Sequence, residues 1–249
     1  MRAREGSLPY RLASGAGLFV RDRLEWAIAR SSPNRPWFDP ADFPWTRDVE
    51  ARTLEIRREL FEVLRGAVPD FREVSSEQER IVEGAPWKAF VLFLYGQAYE
   101  KNTRRCPATT EALLAIPGMT SALFSILEPG ARLKEHRGPY KGVLRYHLGL
   151  KVPEEPRQCG ITVGGETRHW AVGRSLVFDD TFAHTAWNES RETRAVLFVD
   201  FKRELGRPLR ALNDALVWLF RVSPFVQNMF ERLDAIDGKN ERAPGGNQG

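Results

Sequence analysis

The sequence predicts a mainly β fold, an antiparallel sandwich or barrel with helical flanks. Three observations carry this. From Thr120 to about Phe201, short β-branched and aromatic runs (ALFSIL, VLRYHLGL, GITV, HWAV, SLVF, RAVLFVDF) alternate with Gly/Pro turns. No crossover helix intervenes between them, which argues against a parallel sheet. Across 249 residues the hydrophobic content is 42%, with 11% aromatic, which suffices for a packed core and argues against disorder.

In chain order, residues 1–15 carry Gly, Ser and Pro without a period and read as a loose arm. Gly17 to Ala29 reads as an amphipathic basic helix. Val20, Leu24, Ala27 and Ile28 form its stripe, with Arg21, Arg23 and Arg30 mostly off it. Such a helix either packs on the domain or lies on a membrane surface. Residues 31–47 hold four prolines and two tryptophans, a density no helix survives. They read as an extended segment pinned by Trp37, Phe38, Phe43 and Trp45. Asp48 to Ala67 is helical, with Leu54, Ile56, Leu60, Val63 and Leu64 on a repeating face, until Pro69 stops it. Residues 74–86 are polar, and 87–99 (WKAFVLFLYGQAY) reads as strand. CPATTEALLAIPGM predicts a short helix capped by Thr109 or Thr110 and ended by Pro117-Gly118. After the β region, Pro208 suits a first helical turn, Leu209, Leu212, Leu216 and Leu219 fall on one stripe, and Ser223-Pro224 starts a second helix. The tail from Arg242 is rich in Gly, Asn and Gln and reads as disordered.

The net charge of +4 is mild and lacks the density of a dedicated nucleic-acid binder; no nucleic-acid partner is expected. Residues 1–35 hold seven Arg against Glu5, Asp22 and Glu25, so this end alone accounts for the net charge and points to an anionic surface. Cys106 and Cys159 form no disulfide framework and read as reduced thiols of a cytosolic protein. No apolar run reaches the ~18 residues of a membrane span, and Arg21, Asp22 and Arg23 interrupt any signal-peptide core. A cytoplasmic location, with peripheral contact at the inner face of the membrane, is expected.

The chemistry-bearing residues lie between Ser125 and Arg194. His136 and His184 are 48 residues apart, each where a strand-like run meets a turn, and Arg194 follows ten residues after the second. Neutral imidazole is the commonest protein metal ligand. In VLRYHLGL, strand parity puts Leu144, Tyr146 and Leu148 on one face and Arg145, His147 and Gly149 on the other. A cation inside a barrel is costly unless paired, and a small dianion supplies the pairing.

The motifs HRGPYKGVLRYHLGL and LVFDDTFAHTAWN, followed by RAVLFVD, resemble the aspartyl/asparaginyl β-hydroxylase family of Fe(II)- and 2-oxoglutarate-dependent oxygenases. WKAF and CPATTEALLAIPGM extend the likeness to about residue 87. The resemblance implies a double-stranded β-helix (jelly-roll, cupin-like) core. It implies a hydroxylase using Fe(II), 2-oxoglutarate and O2. His136 and His184 would ligate the iron. Arg194 with Ser125 would hold the distal carboxylate of 2-oxoglutarate, and Arg145 and His147 would face its other end. A facial triad places an acid two residues after the first histidine; here that residue is Gly138, so water would fill the position. Asp180, or alternatively Asp179, would hold that water. A structural zinc site wants four N/S ligands, and the cysteines lie at no such spacing.

On this reading the chain divides into a basic arm and amphipathic helix (1–47), a hydroxylase domain (48–205, with helical support over 48–118 and the jelly-roll core over 119–205), and C-terminal helices with a tail (206–249). Gly138 favours a peptide or protein Asp/Asn substrate hydroxylated at the β carbon. The basic helices and the ALVWLF segment favour the C2 of a membrane-lipid acyl chain. A jelly-roll binding module without activity is the non-enzymatic alternative, opposed by the retention of both histidines and Arg194.

Overall fold

The computed structural model describes residues 15–242. Its helices are α1 (Gly15–Ser31), α2 (Trp45–Ala51), α3 (Thr53–Arg65), α4 (Phe71–Val74), α5 (Glu100–Arg105), α6 (Pro107–Leu114), α7 (Arg207–Arg221) and α8 (Pro224–Arg242). Its strands are β1 (Trp37–Phe38), β2 (Val82–Gly84), β3 (Trp87–Leu94), β4 (Gln97–Ala98), β5 (Met119–Leu127), β6 (Ala131–His136), β7 (Val143–Lys151), β8 (Cys159–Val163), β9 (Glu166–Arg168), β10 (Ser175–Phe178), β11 (His184–Asn188) and β12 (Arg194–Lys202). They form a seven-stranded sheet, β1-β10-β7-β12-β5-β3-β4, and a five-stranded sheet, β2-β6-β11-β8-β9. Every strand pair is antiparallel. This is the expected mainly β jelly roll with helical flanks.

The larger sheet is buried on both faces, which explains why its strands read as nearly continuous apolar runs. Inward residues Val91, Leu123, Val196 and Phe198 meet Leu133, Ile161, Val163 and Ala186 of the smaller sheet. Outward residues Phe90, Leu92, Leu144, Tyr146, Leu148, Leu197 and Val199 meet Val49, Ile56, Leu60, Val63 and Leu113 of α2, α3 and α6. The parity of VLRYHLGL therefore holds: Leu144, Tyr146 and Leu148 support the outer helical layer while Arg145 and His147 turn toward the smaller sheet.

Several expectations are corrected. The helix expected from Asp48 begins at Trp45 and breaks at Arg52, so two helices stand where one was expected. Leu54, placed on the buried face, is 73% exposed, because Ile56, Leu60 and Val63 already fill the sheet-facing stripe. HWAV is no strand; the chain pairs at Glu166–Arg168 instead, and Trp170 drops into the core. The polar stretch 74–86 contains β2, whereas the strand expected over 87–99 is present, as β3 and β4 of the larger sheet. Leu212 and Leu219 do not share the packed face of Leu209 and Leu216; they are exposed. The arm over residues 1–14 and the tail beyond Arg242 lie outside the described residues.

Neither Thr109 nor Thr110 caps α6. Its N-cap is Cys106, and Glu59 of α3 reaches across to accept from the Ala108 and Thr109 backbone N–H groups, each at 2.8 Å. A carboxylate on free N–H groups at a helix start also complements the helix dipole. Glu59→Ala is expected to lower stability by about 1–2 kcal/mol, the scale of a lost cap, as read by urea denaturation.

Candidate active site

β6 and β11 are neighbours in the smaller sheet. His136, the last residue of one, pairs directly with His184, the first of the other, and the register shifts just beyond it, between His184 and Ala186. The two imidazole centroids are 4.0 Å apart. His136 Nδ1–H donates to the Lys134 carbonyl at 2.7 Å, and His184 Nδ1–H donates to the Phe182 carbonyl at 3.0 Å. A carbonyl only accepts, so each ring keeps its hydrogen on Nδ1 and its lone pair on Nε2. Burial pushes both pKa values down; His184, also beside His136 and Arg145, falls to about 3. At neutral pH the site offers two neutral imidazoles with fixed tautomers, the form a metal requires.

Asp180 lies beside this pair. It is buried, and neither carboxylate oxygen has a hydrogen-bond partner among the described residues, although Arg145 Nη2 stands 2.9 Å from Oδ2 in an ion pair. Burial raises its pKa to about 6 against the opposing pull of Arg145. A Cβ placed on Gly138 would land on the Asp180 carboxylate. The Gly138 N–H donates to the Asp180 carbonyl at 2.7 Å, fixing the two segments together. The space that an acid at position 138 would need is thus filled by Asp180. Asp179 is committed elsewhere: Lys141 Nζ and Arg203 Nη2 donate to its carboxylate at 2.8 and 2.6 Å, and Thr181 Oγ1 at 2.6 Å. Arg203 also donates to the carbonyls of Pro33 and Lys141, so Asp179 ties together the loops around the mouth.

Deeper between the sheets lies a second cluster. Arg194 is 2% exposed, stacks over Trp170 at 4.3 Å, and donates through Nη1 to the Ser125 carbonyl at 3.1 Å. Its Nε has no partner, and among the described residues no carboxylate pairs with it. Burial pushes its pKa down to about 10, opposed by Cys159. Ser125 Oγ accepts from Trp87 Nε1 at 2.9 Å, which leaves its own hydrogen to donate. His147 Nδ1 accepts from Trp170 Nε1 at 3.3 Å, so the ring hydrogen sits on Nε2, which is buried without a partner. Arg145 is gripped by Asp200 through Nε and Nη2, at 2.8 and 3.0 Å, and lies over Phe198. Burial works against its charge, but Asp180 and Asp200 outweigh that and raise its pKa. Phe178 sits between His147 and His184 and joins the two clusters.

The structure thus brings His136, His184, Asp180 and Arg145 together at the mouth, and Ser125, His147 and Arg194 behind them. Sequence reasoning missed Trp87, Trp170 and Asp200, the residues that orient Ser125, His147 and Arg145. Their partners are 23 to 55 residues away, and no local pattern marks them. Among the described residues no three His, Cys, Asp or Glu side chains gather to hold an ion. The candidate donors for a metal, among the described residues, are the histidine pair. That pair would fit one, since each Nδ1–H is tied to a carbonyl, which leaves the lone pair on Nε2, and a buried acceptor, Asp180, lies nearby.

A cavity of about 470 Å³ opens beside this mouth, lined by Gly138, Pro139, Thr181 and Phe182 on one side and by Arg21 and Glu25 of α1 on another.

An antiparallel double sheet with a tautomer-fixed histidine pair at its mouth, and in its interior an arginine without a carboxylate partner among the described residues, defines a protein of the jelly-roll class. The chain belongs to the Aspartyl/Asparaginyl beta-hydroxylase family, whose model matches residues 50–204. It is 44% identical over 196 residues to an ornithine lipid ester-linked acyl 2-hydroxylase of Rhizobium tropici, covering 78% of this chain and 70% of that protein. It is 32% identical over 174 residues to the human aspartyl/asparaginyl beta-hydroxylase, covering 67% of this chain but only 22% of that protein. Among solved structures, a prolyl hydroxylase from Trichoplax adhaerens in complex with a hypoxia inducible factor oxygen degradation domain peptide is similar at a TM-score of 0.45 and 14% identity, over 65% of this chain and 81% of that one.

Proposed function

We propose that this chain is an Fe(II)- and 2-oxoglutarate-dependent dioxygenase that hydroxylates the C2 of a membrane-lipid acyl chain. The oxygenase reading is carried by one observation: two imidazoles with Nδ1 tied to backbone carbonyls stand at the mouth of a double sheet whose interior holds a buried arginine, Arg194, with no carboxylate partner among the described residues. The lipid reading is supported by the 44% identity to the rhizobial lipid hydroxylase over 78% of this chain. Bound iron would supply activation of O2, driven by oxidative decarboxylation of 2-oxoglutarate.

The protein's own contributions follow from the geometry. His136 and His184 would hold the metal through Nε2. Arg194, with the free Ser125 hydroxyl, would take the distal carboxylate of 2-oxoglutarate, and the orphan His147 Nε2–H with the Arg145 guanidinium would face its other end. Asp180 would accept a hydrogen bond from a water beside the histidine pair, a role open to its carboxylate because neither oxygen accepts a hydrogen bond among the described residues. Phe178, Phe198 and Trp170 exclude bulk water from the interior, where charge-assisted bonds are strong.

The second reading, the β carbon of a peptide Asp or Asn, is favoured by Gly138 and the human relative. Lipid mass spectrometry of cells with and without the chain separates the two. The lipid reading predicts an acyl-hydroxylated species, heavier by one oxygen atom and lost in His136→Ala; an unchanged lipid profile sinks it.

Gly138→Asp is expected not to convert the site into a facial triad. The new side chain collides with the Asp180 carboxylate and places a second buried carboxyl beside it, costing about 1–3 kcal/mol. Gly138→Asp/Asp180→Gly is expected to regain most of that stability. Thermal denaturation of the three proteins checks the order.

A further inference from the structure

α7 presents its apolar stripe outward. At 3.6 residues per turn, Pro208, Ala211, Leu212, Ala215, Trp218, Leu219 and Val222 fall within an arc of about 120°, and all seven are exposed. Leu212, Trp218, Leu219 and Val222 are the bulk of it, at 57%, 57%, 39% and 49% exposure. The opposite side of the helix does the packing: Leu209 and Leu216 sit with Leu24 and Ile28 of α1 against Tyr140, and Asn213 Nδ2 donates to the Gly142 carbonyl at 2.9 Å. Arg207, Arg210 and Arg221 line one edge of the exposed stripe. The single acid among them, Asp214, is tied to Lys202 Nζ at 2.6 Å. The neighbouring α1 exposes Trp26 at 54%, with the Arg30 guanidinium stacked on it at 4.0 Å.

We propose that α7, with the exposed side of α1, docks this protein on the surface of a bilayer containing anionic lipid. Apolar side chains with tryptophan at one side and arginines along an edge are what a headgroup–acyl boundary accommodates. An antiparallel two-fold contact between copies would set one arginine edge against another, which charge opposes. The helix is also coupled to the mouth. Phe220 stacks on Tyr95 at 5.6 Å and approaches Tyr140, the residue that follows Gly138-Pro139, while Gln97 Nε2 donates to the Arg221 carbonyl. Through Arg21 and Glu25, α1 lines the cavity itself. Docking by this face would therefore put the cavity mouth next to the membrane. This deepens the lipid reading and rests on it for its purpose, though the binding is measurable without any turnover.

The test is flotation of the full chain with vesicles of phosphatidylcholine containing phosphatidylglycerol, alongside Leu212→Glu/Trp218→Glu. The wild type is expected to float and to be released by high salt or by vesicles of phosphatidylcholine alone. The variant is expected to bind at least ~10-fold more weakly, with unchanged hydroxylation of lipid presented in detergent micelles. Failure of the wild type to float overturns the docking face. So does a wild type that light scattering shows as a dimer and the variant as a monomer, with equal vesicle binding. Micellar hydroxylation reads the lipid assignment separately, so flotation without hydroxylation contradicts that assignment and leaves the docking face standing.

Discussion

His184→Ala is expected to abolish iron-dependent turnover of 2-oxoglutarate and to weaken Fe(II) binding by more than the ~10–100-fold that loss of an outer-shell partner costs. On the proposed reading two imidazoles hold the metal with no third protein ligand among the described residues, so removing one leaves a single nitrogen. His136→Ala is expected to do the same, because the two rings face each other across one strand pair at a centroid separation of 4.0 Å. The loss is chemical and not a collapse of the fold: β6 and β11 are held by backbone bonds along the ladder, which alanine leaves in place. His169 is the control. It hydrogen-bonds the Cys159 carbonyl and packs on Trp187, away from the pair, so His169→Ala is expected to retain iron binding. Calorimetric titration of Fe(II) under anaerobic conditions, with succinate formation measured in parallel, checks all three.

Arg194→Met separates a binding arginine from a structural one. The guanidinium is buried, stacked on Trp170 and without a carboxylate among the described residues, so its charge is uncompensated until an anion arrives. Methionine keeps most of the length and removes the charge. The protein without ligand is therefore expected to be as stable or up to about 1–2 kcal/mol more stable. Its affinity for 2-oxoglutarate is expected to fall by roughly 30-fold or more, since truncating one side of a buried charged pair costs about 2–5 kcal/mol. Thermal shift with and without 2-oxoglutarate reads both effects. A ligand-free protein that melts lower while keeping its 2-oxoglutarate shift would show the arginine to be a packing residue.

Much of the fold was legible because alternation and turn residues are local signals. The runs that became β5, β7, β8, β10 and β12 are apolar; Gly or Pro flanks the first three on both sides and precedes β10. β6 and β11 were harder: ARLKEH and HTAWN are polar, since the smaller sheet is covered on its inner face alone, and neither is among the runs that read as strands, although their histidines were each placed where a strand-like run meets a turn. HWAV misled for the converse reason. Its apolar pattern belongs to Trp170, which is buried as a side chain from a loop. The face of α7 shows the same limit: a stripe of leucines says that a helix is amphipathic, not which side the domain leaves free. At the site, the roles expected of the histidine pair and of Arg194 came from the family resemblance of their motifs. The grip of Asp200 on Arg145, and the filling of the Gly138 space by Asp180, depend on register between distant strands and loops.

On the proposed function, the two-histidine site couples 2-oxoglutarate consumption to insertion of oxygen into a lipid acyl chain. The most direct measurement follows purified protein with Fe(II), 2-oxoglutarate and O2, with lipid in detergent micelles, counting succinate formed and acyl chains hydroxylated. The account predicts one succinate for each oxygen atom inserted, with both products lost when iron is chelated. Hydroxylation that consumes no 2-oxoglutarate, or no iron-dependent succinate with or without lipid, would contradict it.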